Sequence, residues 1–368
     1  PRDLSAFYSP EKIDKMSDKK KTENLNKIWR NYCISDAYEP GSTFKPMTVA
    51  ACLDEGVTTG SHAYHCDGYQ VINGVRIKCV AYSRGGHGTI NICQSLMESC
   101  NDVLMQLGAD LGKRKFLQYV NEFGFGKKTG IDLPGEATGG VFTNDTMHAV
   151  ELATSSFGQG QTVTMIQMAA AFSSVINGGN YYEPHVVKEV KSENGAVLES
   201  NDNALVRRVI TENTSKKLRK YLYKTVEEGT ALPAKVAGYQ IGGKTGTAEK
   251  HPTGRGNYLV SFIGFATKDN PEVMIYVTID EPHVADQAHS TYATQFSSEV
   301  LKEVLPVLGM YQDSSTKKAD KTKASDIKLP STKEAPDGGY SDGTYSVAGD
   351  QTDRTDTANT ASPVPSAE

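Results

Sequence analysis

Three short segments hold the side chains of this 368-residue chain that are best suited to chemistry. In chain order they are Ser42-Thr43-Phe44-Lys45, Ser99-Cys100-Asn101 and Lys244-Thr245-Gly246-Thr247. Together they supply a hydroxyl nucleophile, two amines, a second hydroxyl that can relay a proton, and an amide. This combination favours serine acyl transfer on an amide substrate that also carries a carboxylate.

The first segment pairs a serine with a lysine. Ser42 follows a turn signal and begins a predicted helix, where outward-pointing backbone N–H groups favour negative charge. Lys45 lies three residues later and therefore shares its helical face. An amine with an ordinary pKa of about 10.4 cannot accept the serine proton at neutral pH, but burial and a second cation lower that pKa. We expect Lys244 to be the second cation. An exposed Ser-x-x-Lys pair without function is the alternative.

The second segment falls between two predicted helical stretches. Ser99 is a candidate relay of the proton to the leaving amine, and Asn101 is a candidate partner for a substrate amide. Serine and asparagine are also ordinary helix-capping residues, so the segment alone does not establish a site.

The third segment is predicted to lie on a strand at the edge of a sheet. We expect Gly246 to let a substrate backbone approach that edge closely. Lys244, Thr245 and Thr247 are candidates for holding a terminal carboxylate. The backbone N–H groups of Ser42 and Thr247 are expected to form an oxyanion hole.

A second Lys-Thr-Gly tripeptide occurs at Lys128-Thr129-Gly130. It follows a Gly-rich stretch and leads into a turn, and no strand pattern surrounds it. We predict that this copy is structural.

The hydrophobic pattern predicts an α+β fold, in which a helical subdomain flanks an antiparallel sheet. Residues 1–41 are predicted to be a loop-rich lead-in, residues 42–311 the catalytic domain, and residues 312–368 a disordered tail or linker, because the tail has almost nothing to bury. The predicted helices lie at 42–53, at 89–120 in two or three pieces, at 165–176 capped by Thr164, at 212–228 and at 294–305. The predicted strands lie at 244–247, 258–267 and 272–280, and hairpins are expected at Asn73-Gly74 and Asn194-Gly195.

The six cysteines show no metal-binding motif, since no Cys-x-x-Cys pair or Cys/His group has zinc spacing. We therefore expect neither a metal nor a cofactor. Cys66 and Cys79 flank the first predicted hairpin and either form a disulfide, if the compartment is oxidising, or remain free. Cys93 and Cys100 lie seven residues apart in a helical stretch, which indicates a shared buried face.

Composition gives no reason to expect binding to nucleic acid or to an anionic membrane surface. The net charge of −5 gives no electrostatic reason to bind nucleic acid or an anionic membrane surface. No apolar run approaches the roughly 18 residues of a membrane-spanning helix. Because the chain opens at Pro1 without Met, we expect it to be a fragment or a processed form.

With its three segments in order, the chain resembles the class B, monofunctional penicillin-binding proteins. The likeness runs from about Ile34 to Gly309. It extends to further stretches, namely Tyr38–Pro46, Gly86–Thr89, Phe123–Gly126, Ile131–Glu136, Ser156–Gly160 and Gly243–Ala248.

The resemblance implies a serine D,D-transpeptidase that cross-links peptidoglycan stem peptides ending in D-Ala-D-Ala and is acylated by β-lactams. It implies roles for eight residues. Ser42, Lys45, Ser99 and Lys244 would be catalytic, and Asn101, Thr245, Gly246 and Thr247 would bind substrate.

The resemblance also implies a location and partners. The enzyme would work at the extracytoplasmic face of the bacterial membrane, anchored by an N-terminal helix. Its partners would include a glycan-polymerising membrane protein and proteins of division, elongation or sporulation. The family's membrane anchor, pedestal domain and first sheet strands precede the point where this chain starts, so we expect those strands to be missing.

Three alternatives share the motifs. A D,D-carboxypeptidase differs only in using water to resolve the acyl-enzyme. A β-lactam sensor is acylated without turnover. A class A β-lactamase needs a deacylating carboxylate, and Glu136 lies roughly where that class has one but lacks the accompanying Leu-Asn.

Overall fold

The computed structural model describes residues 3–201 and 205–312. It confirms a mixed fold of helices and antiparallel sheet. The helices are α1 (Pro10–Asp14), α2 (Asp18–Trp29), α3 (Tyr32–Ser35), α4 (Lys45–Asp54), α5 (Ile92–Met97), α6 (Asn101–Leu111), α7 (Lys113–Glu122), α8 (Ala149–Ser156), α9 (Met165–Ile176), α10 (Glu212–Glu228) and α11 (Thr291–Val307). The strands are β1 (Ala37–Tyr38), β2 (Ala63–Cys66), β3 (Tyr69–Ile72), β4 (Val75–Lys78), β5 (Gly88–Asn91), β6 (Val163–Thr164), β7 (Asn180–Tyr182), β8 (Glu189–Lys191), β9 (Val197–Ser200), β10 (Leu205–Arg208), β11 (Ile241–Glu249), β12 (Tyr258–Ala266) and β13 (Val273–Asp280).

The main sheet is an antiparallel meander in the order β11-β12-β13. Lys244 pairs with Ile263 and Thr247 pairs with Val260, so the third segment lies along β11. Within the described residues β11 pairs only with β12, which leaves its other side at the sheet edge. An edge strand offers unpaired backbone groups to a partner in extended conformation.

Two apolar clusters support the region between the helices and the sheet. The larger cluster joins α4, α6 and α9 and reaches Phe265 of the sheet. The smaller cluster packs α11 against the sheet through residues such as Phe262, Leu301 and Leu305. The start of α4 and strand β11 therefore meet between two packed cores, which fixes their relative positions.

Local signals in the sequence predicted several boundaries correctly. Helix α9 begins after Thr164, whose side chain accepts a hydrogen bond from the Gln167 N–H, as expected of an N-cap. Strands β3 and β4 form the predicted hairpin around Asn73 and Gly74, which both have positive φ angles. The second predicted hairpin, β8–β9, encloses Gly195.

The predicted loop-rich lead-in is wrong, because residues 3–41 contain helices α1, α2 and α3. In α2, partly or fully buried side chains recur at Lys21, Asn24, Leu25 and Ile28, which is helical spacing. Polar residues at most of the other positions obscured this pattern. Ser17 caps the helix by accepting a hydrogen bond from the Lys20 N–H.

Three other expectations have simple outcomes. The tail predicted at 312–368 lies outside the described residues, apart from Gln312. Across the part of the chain described, no helix combines the length and the apolar character that crossing a membrane requires. All six cysteines are free, so the structure contains no Cys66–Cys79 disulfide.

Candidate active site

A cleft of about 210 Å³ brings the three segments together. Five of the eight predicted site residues line it, and Lys45, Lys244 and Gly246 lie behind its wall. The lining residues are Gly41, Ser42, Val80, Glu98, Ser99, Asn101, Phe157, Gln159, Thr230, Thr245, Thr247 and Ser290.

Ser42 lies on a single 3₁₀ turn, Gly41–Phe44, that leads directly into α4. Gly41 has a φ of +55° and donates its N–H to the Gly158 carbonyl at 2.9 Å. The Thr43 hydroxyl donates to the Pro40 carbonyl at 2.7 Å. Gly158 must be a glycine because a Cβ there would collide with the Gly41 carbonyl oxygen. These contacts hold Ser42 at the mouth of the cleft.

Lys45 is fully buried beneath Ser42, on the first turn of α4. Its Nζ donates to the Ser99 carbonyl at 2.6 Å, to the Ser99 Oγ at 3.1 Å and to Asn101 Oδ1 at 2.7 Å. Burial lowers the pKa of Lys45 from 10.5 to about 8, because desolvation penalises the charged form. A substantial neutral fraction near physiological pH makes this amine competent to accept a proton.

Lys244 approaches Ser99 from the sheet. Its Nζ lies 3.0 Å from Ser99 Oγ, and its side chain is also fully buried. Burial, followed by the charge of Lys45, holds the pKa of Lys244 well below its ordinary value. Two amines from distant parts of the chain therefore meet on one serine hydroxyl. The sequence analysis expected Lys244 to lower the pKa of Lys45, whereas in the structure burial lowers the pKa of Lys45 and the charge of Lys45 acts on Lys244.

Ser99 adopts an unusual backbone conformation, with a φ of +55°. A non-glycine residue in this region carries strain, which concentrates at functional sites. Asn101, the first residue of α6, uses both ends of its amide, because Oδ1 accepts from Lys45 and Nδ2 donates to the Lys78 carbonyl at 3.3 Å. Its amide is therefore held in a fixed orientation at the edge of the cleft.

The residues of β11 alternate between the cleft and the interior. Thr245 and Thr247 line the cleft, whereas Lys244 points behind it. The expected reason for Gly246 is wrong: its missing side chain faces inward, where a Cβ would collide with Ser261 Oγ of β12 and would lie 3.0 Å from Thr43 Cγ2 and 3.2 Å from the Pro40 carbonyl oxygen. Glycine is needed there because β12 and the Ser42 turn both pack directly on this side of the strand.

The second Lys-Thr-Gly copy lies elsewhere, as predicted. Thr129 donates its N–H and its hydroxyl to Glu136 Oε1, both at 2.6 Å. The Gly130 N–H donates to the other carboxylate oxygen at 3.3 Å. Glu136 thus stabilises a turn and does not line the cleft beside Ser42, which argues against its use as a β-lactamase base.

Sequence analysis missed several residues of the cleft, among them Thr230. Gln159 lies on the turn that supports Gly41, within the Ser156–Gly160 stretch that carries the resemblance but received no chemical role. The Thr230 hydroxyl lies 3.3 Å from Thr245 Oγ1, and its N–H donates to the Met97 carbonyl at 2.9 Å. Isolated polar residues on loops give no periodic signal that would have identified them.

The structure brings together three cysteines and a histidine whose spacing in the sequence matches no zinc motif. One ligand atom from each of Cys66, Cys79, His87 and Cys100 lies within 4.8 Å of the other three. The intervals of 13, 8 and 13 positions between them match no familiar motif, so only the folded hairpin and loops reveal the cluster.

The comparisons with known proteins agree with this geometry. Residues 9–304 match the family described as the penicillin-binding protein transpeptidase domain. The chain belongs to this family. The match begins within the helical lead-in and includes all three segments.

The named relatives of this penicillin-binding protein domain include a sporulation protein and a peptidoglycan D,D-transpeptidase. "Stage V sporulation protein D" of Bacillus subtilis is 41% identical over 286 residues, which cover 76% of this chain and 44% of the relative. "Peptidoglycan D,D-transpeptidase MrdA" of Acinetobacter baumannii is 28% identical over 69% of this chain and 41% of the relative. The chain thus spans less than half the length of these two relatives.

Solved transpeptidase domains share the fold. Penicillin-binding protein 3 of Mycobacterium tuberculosis in complex with ampicillin matches with a TM-score of 0.71 and 26% identity, over 77% of this chain and 65% of that one. The transpeptidase domain of Burkholderia pseudomallei penicillin-binding protein 3 matches with a TM-score of 0.68 and 27% identity, over 77% and 83% of the two chains. The α+β architecture is therefore that of the penicillin-binding protein transpeptidase domain.

Proposed function

We propose that this chain is the catalytic part of a serine D,D-transpeptidase that cross-links peptidoglycan stem peptides. The observation that carries the proposal is the meeting of two buried lysines on the Ser99 hydroxyl, beside Ser42 at the mouth of the cleft. Desolvated amines of lowered pKa are what a serine nucleophile needs for activation.

In the acylation step, neutral Lys45 accepts the Ser42 proton as Ser42 Oγ attacks the penultimate D-Ala carbonyl. The backbone N–H groups of Ser42 and Thr247 stabilise the developing oxyanion, an effect worth about 10²–10³ in turnover in a tested protease. Ser99 accepts that proton from Lys45 through their 3.1 Å contact and passes its own to the leaving D-Ala amine, so that an ester forms on Ser42 as the amide bond breaks. Lys244 holds the Ser99 hydroxyl through its 3.0 Å contact.

Substrate binding uses the exposed side of β11. Thr245 and Thr247 face the cleft and supply hydroxyl donors for the terminal carboxylate, while the buried Lys244 amine donates to the Thr245 hydroxyl from behind at 3.4 Å. The donor peptide lies along the sheet edge as an added strand. Asn101, held by Lys45 and Lys78, orients the donor amide. A β-lactam enters the same way and acylates Ser42.

The second half-reaction decides between the alternatives. In a transpeptidase the amine of a neighbouring stem peptide attacks the Ser42 ester and forms the cross-link. In a carboxypeptidase water attacks the ester, and in a β-lactam sensor the ester persists. The names of the relatives, including a peptidoglycan D,D-transpeptidase, favour transfer to an amine.

The same relatives support a proposal for the cellular setting. We place the parent protein at the extracytoplasmic face of the bacterial membrane, held by an N-terminal helix and working beside a glycan-polymerising protein. Among division, elongation and sporulation, the 41% identity to "Stage V sporulation protein D" favours sporulation. Replacing that protein in Bacillus subtilis with a chimera carrying this catalytic chain should restore spore formation, and a Ser42→Ala chimera should not.

A thioester that mimics the D-Ala-D-Ala end tests the reaction directly. With a D-amino acid as acceptor, we expect thiol release and an aminolysis product that grows with acceptor concentration, detected by mass spectrometry. Hydrolysis alone, unaffected by acceptor, would support the carboxypeptidase alternative. Acylation by penicillin without any thioester turnover would support the sensor.

A further inference from the structure

An acidic side chain lines the cleft beside the second catalytic segment. Among the lining residues in the described part of the chain, Glu98 is the one with an ionisable side chain, and the others are apolar or carry hydroxyl or amide groups. The buried amines of Lys45 and Lys244 lie behind the cleft wall. Glu98 directly precedes Ser99, the proposed proton relay. A ligand in the cleft therefore meets a carboxylate beside the group that handles its proton.

The backbone around Glu98 is held by hydrogen bonds, although its side chain is half exposed. Helix α5 ends at Met97, and the Glu98 N–H donates to the Gln94 carbonyl at 2.8 Å. The Met97 carbonyl accepts the Thr230 N–H at 2.9 Å, and the Thr230 hydroxyl reaches β11. The backbone of Glu98 is thus fixed relative to the sheet edge, while its carboxylate can turn toward a ligand.

The charge of Glu98 is only weakly compensated. Arg84 Nη2 lies 3.7 Å from Glu98 Oε2, and the two side chains are 62% and 48% exposed. The same Arg84 atom lies 3.2 Å from His87 Nε2. Exposed ion pairs of this kind contribute little, because water and salt screen them. The carboxylate therefore remains available to a cationic group of a ligand.

Microscopic reversibility places an incoming amine beside Ser99. Ser99 gives a proton to the leaving amine during acylation, so an attacking amine in the second half-reaction occupies the same place. An amine that arrives as an ammonium ion first loses one proton to solvent. A second proton passes through Ser99 to Lys45 as the new C–N bond forms, and Lys45 returns it to Ser42 Oγ as the ester bond breaks. Glu98 takes no proton in these steps and acts only through its charge.

Two kinds of amine compete for this place. One belongs to a neighbouring stem peptide, and the other is the D-alanine released by acylation, whose return only restores the original peptide. Both amines are largely protonated at neutral pH, but released D-alanine also carries a carboxylate on the adjacent carbon. Glu98 attracts an ammonium ion and repels that second carboxylate. Its charge therefore distinguishes the two amines.

We propose that Glu98 determines acceptor specificity by favouring an amine with no free carboxylate on the adjacent carbon and by disfavouring the return of released D-alanine. A primary amine on a side chain belongs to the favoured class, and so does an α-amine whose carboxyl group is amidated. The role of Glu98 as a selector of acceptors rests on the proposed function, because a transpeptidase resolves its acyl-enzyme with an amine.

A surface ion pair with Arg84 is the competing explanation for Glu98. It accounts for the 3.7 Å contact but not for the position of Glu98 in the same cleft wall as Ser99. If the ion pair were its whole role, removing the charge of Glu98 would leave the choice of acceptor unchanged.

Partitioning of one acyl-enzyme between two acceptors tests the proposal. The wild-type chain and Glu98→Gln are each given the thioester donor with D-alanine or with D-alaninamide, and the products are measured by mass spectrometry. The ratio of aminolysis to hydrolysis does not depend on the acylation rate. Comparing the two variants cancels the different basicity of the two amines. We expect Glu98→Gln to lower the preference for D-alaninamide over D-alanine by about three- to fivefold.

Two further variants and a salt series sharpen the result. Glu98→Lys reverses the charge and should lower the preference below that of Glu98→Gln. Glu199→Gln is the matched control, since Glu199 is an exposed residue of β9 that does not line the cleft, and it should match wild type. In 1 M NaCl the Debye length falls to about 3 Å, so the wild-type preference should approach that of Glu98→Gln. The salt series needs no variant to fold.

Labelling by fluorescent penicillin separates a charge effect from damage to the site. Penicillin carries a carboxylate, so removing the charge of Glu98 should leave its acylation rate equal to or above that of wild type. Labelling of Glu98→Gln slowed by more than about fivefold, beyond what an exposed charge accounts for, would show that Glu98 supports Ser99 structurally. That result would overturn the proposal.

Two other results separate the role of Glu98 from the proposed function. Equal acceptor preferences in wild type and Glu98→Gln, at low and at high salt, would overturn the role of Glu98 and leave transpeptidation standing. Hydrolysis of the thioester with no aminolysis by either amine would refute the proposed transfer, and the acceptor role with it.

Discussion

The tripeptide Lys-Thr-Gly occurs twice in this chain, and its two copies lie in different environments. In the copy at 244–246 the lysine is fully buried and its amine contacts Ser99, while the threonine lines the cleft. In the copy at 128–130 the lysine is exposed and the threonine bonds to Glu136. The first lies on an edge strand and the second in a turn. A motif therefore acquires function from the element that carries it.

Substituting the lysine of each Lys-Thr-Gly copy should give the largest difference in activity between the two copies. Lys244→Ala removes the amine that holds the Ser99 hydroxyl, and we expect acylation by fluorescent penicillin to slow by about 10²–10⁴-fold. Lys128→Ala changes an exposed side chain and should leave the rate within about twofold. Circular dichroism should be used to compare the melting temperatures of both variants with that of wild type. Equal effects of the two substitutions would contradict the distinction.

The pH dependence of acylation should reflect the burial of the two lysine amines that meet on Ser99. Lys45, which meets Lys244 on Ser99, must be neutral to accept a proton, and its pKa is lowered to about 8. The neutral fraction rises as pH rises through that value, so acylation at pH 6 should be roughly 100-fold slower than its plateau above pH 8. Stopped-flow labelling between pH 6 and 9 measures this. A flat profile would show that this amine is not the base.

Substituting the glycine of each Lys-Thr-Gly copy should separate an effect of packing from an effect of backbone strain. Gly246→Ala places a Cβ against Ser261 Oγ, Thr43 and the Pro40 carbonyl, which displaces the Ser42 turn, and we expect acylation to slow by about 10²-fold. Gly130 has a φ of +90°, and a Cβ there would meet only the side chain of the exposed Glu183, which can move away. Gly130→Ala should therefore cost about 1–2 kcal/mol of stability through backbone strain, with little change in acylation. Chemical denaturation and labelling of both variants give the comparison. A fast Gly246→Ala variant would show that the contact is not needed.

Substituting the threonine of each Lys-Thr-Gly copy should give the smallest effects, one on penicillin binding and the other on stability. Thr245→Val removes a hydroxyl that faces the cleft. We expect half-saturation of the acylation rate to need about tenfold more penicillin, with a smaller change in the rate at saturation. Thr129→Val breaks a 2.6 Å hydrogen bond to Glu136 and should cost about 1.5–3 kcal/mol of stability. Loss of penicillin affinity in Thr129→Val, with its fold intact, would contradict the assignment.

Local patterns predicted much of the fold because they reflect local physics. The cap at Thr164, the turn at Asn73-Gly74 and the long helix α10 each depend on nearby residues. The lead-in was misjudged because the polar side chains of α2 obscure a helical stripe that is only partly buried. Helix α2 packs against the short 3₁₀ turn Leu4–Ala6, and its own sequence pattern gives no sign of this contact.

The site was predictable in its residues but not in its arrangement. The three segments contain the proposed nucleophile and both amines, yet the inward direction of Gly246 follows only from the packing of β11 against Ser261 and the Ser42 turn. Gln159 and Thr230 enter the cleft through loops, which give no periodic signal. The group of three cysteines and one histidine depends on one hairpin and two loops, so the intervals in the sequence do not reveal it.

The central claim is that the cleft activates Ser42 for acylation. Incubation with fluorescent penicillin, followed by peptide mapping of the adduct, tests it most directly on wild type, Ser42→Ala and the control Lys128→Ala. We predict one adduct on Ser42 in wild type and in the control, and none in Ser42→Ala. An adduct on another residue, or a folded wild-type chain that is not labelled, would contradict the account.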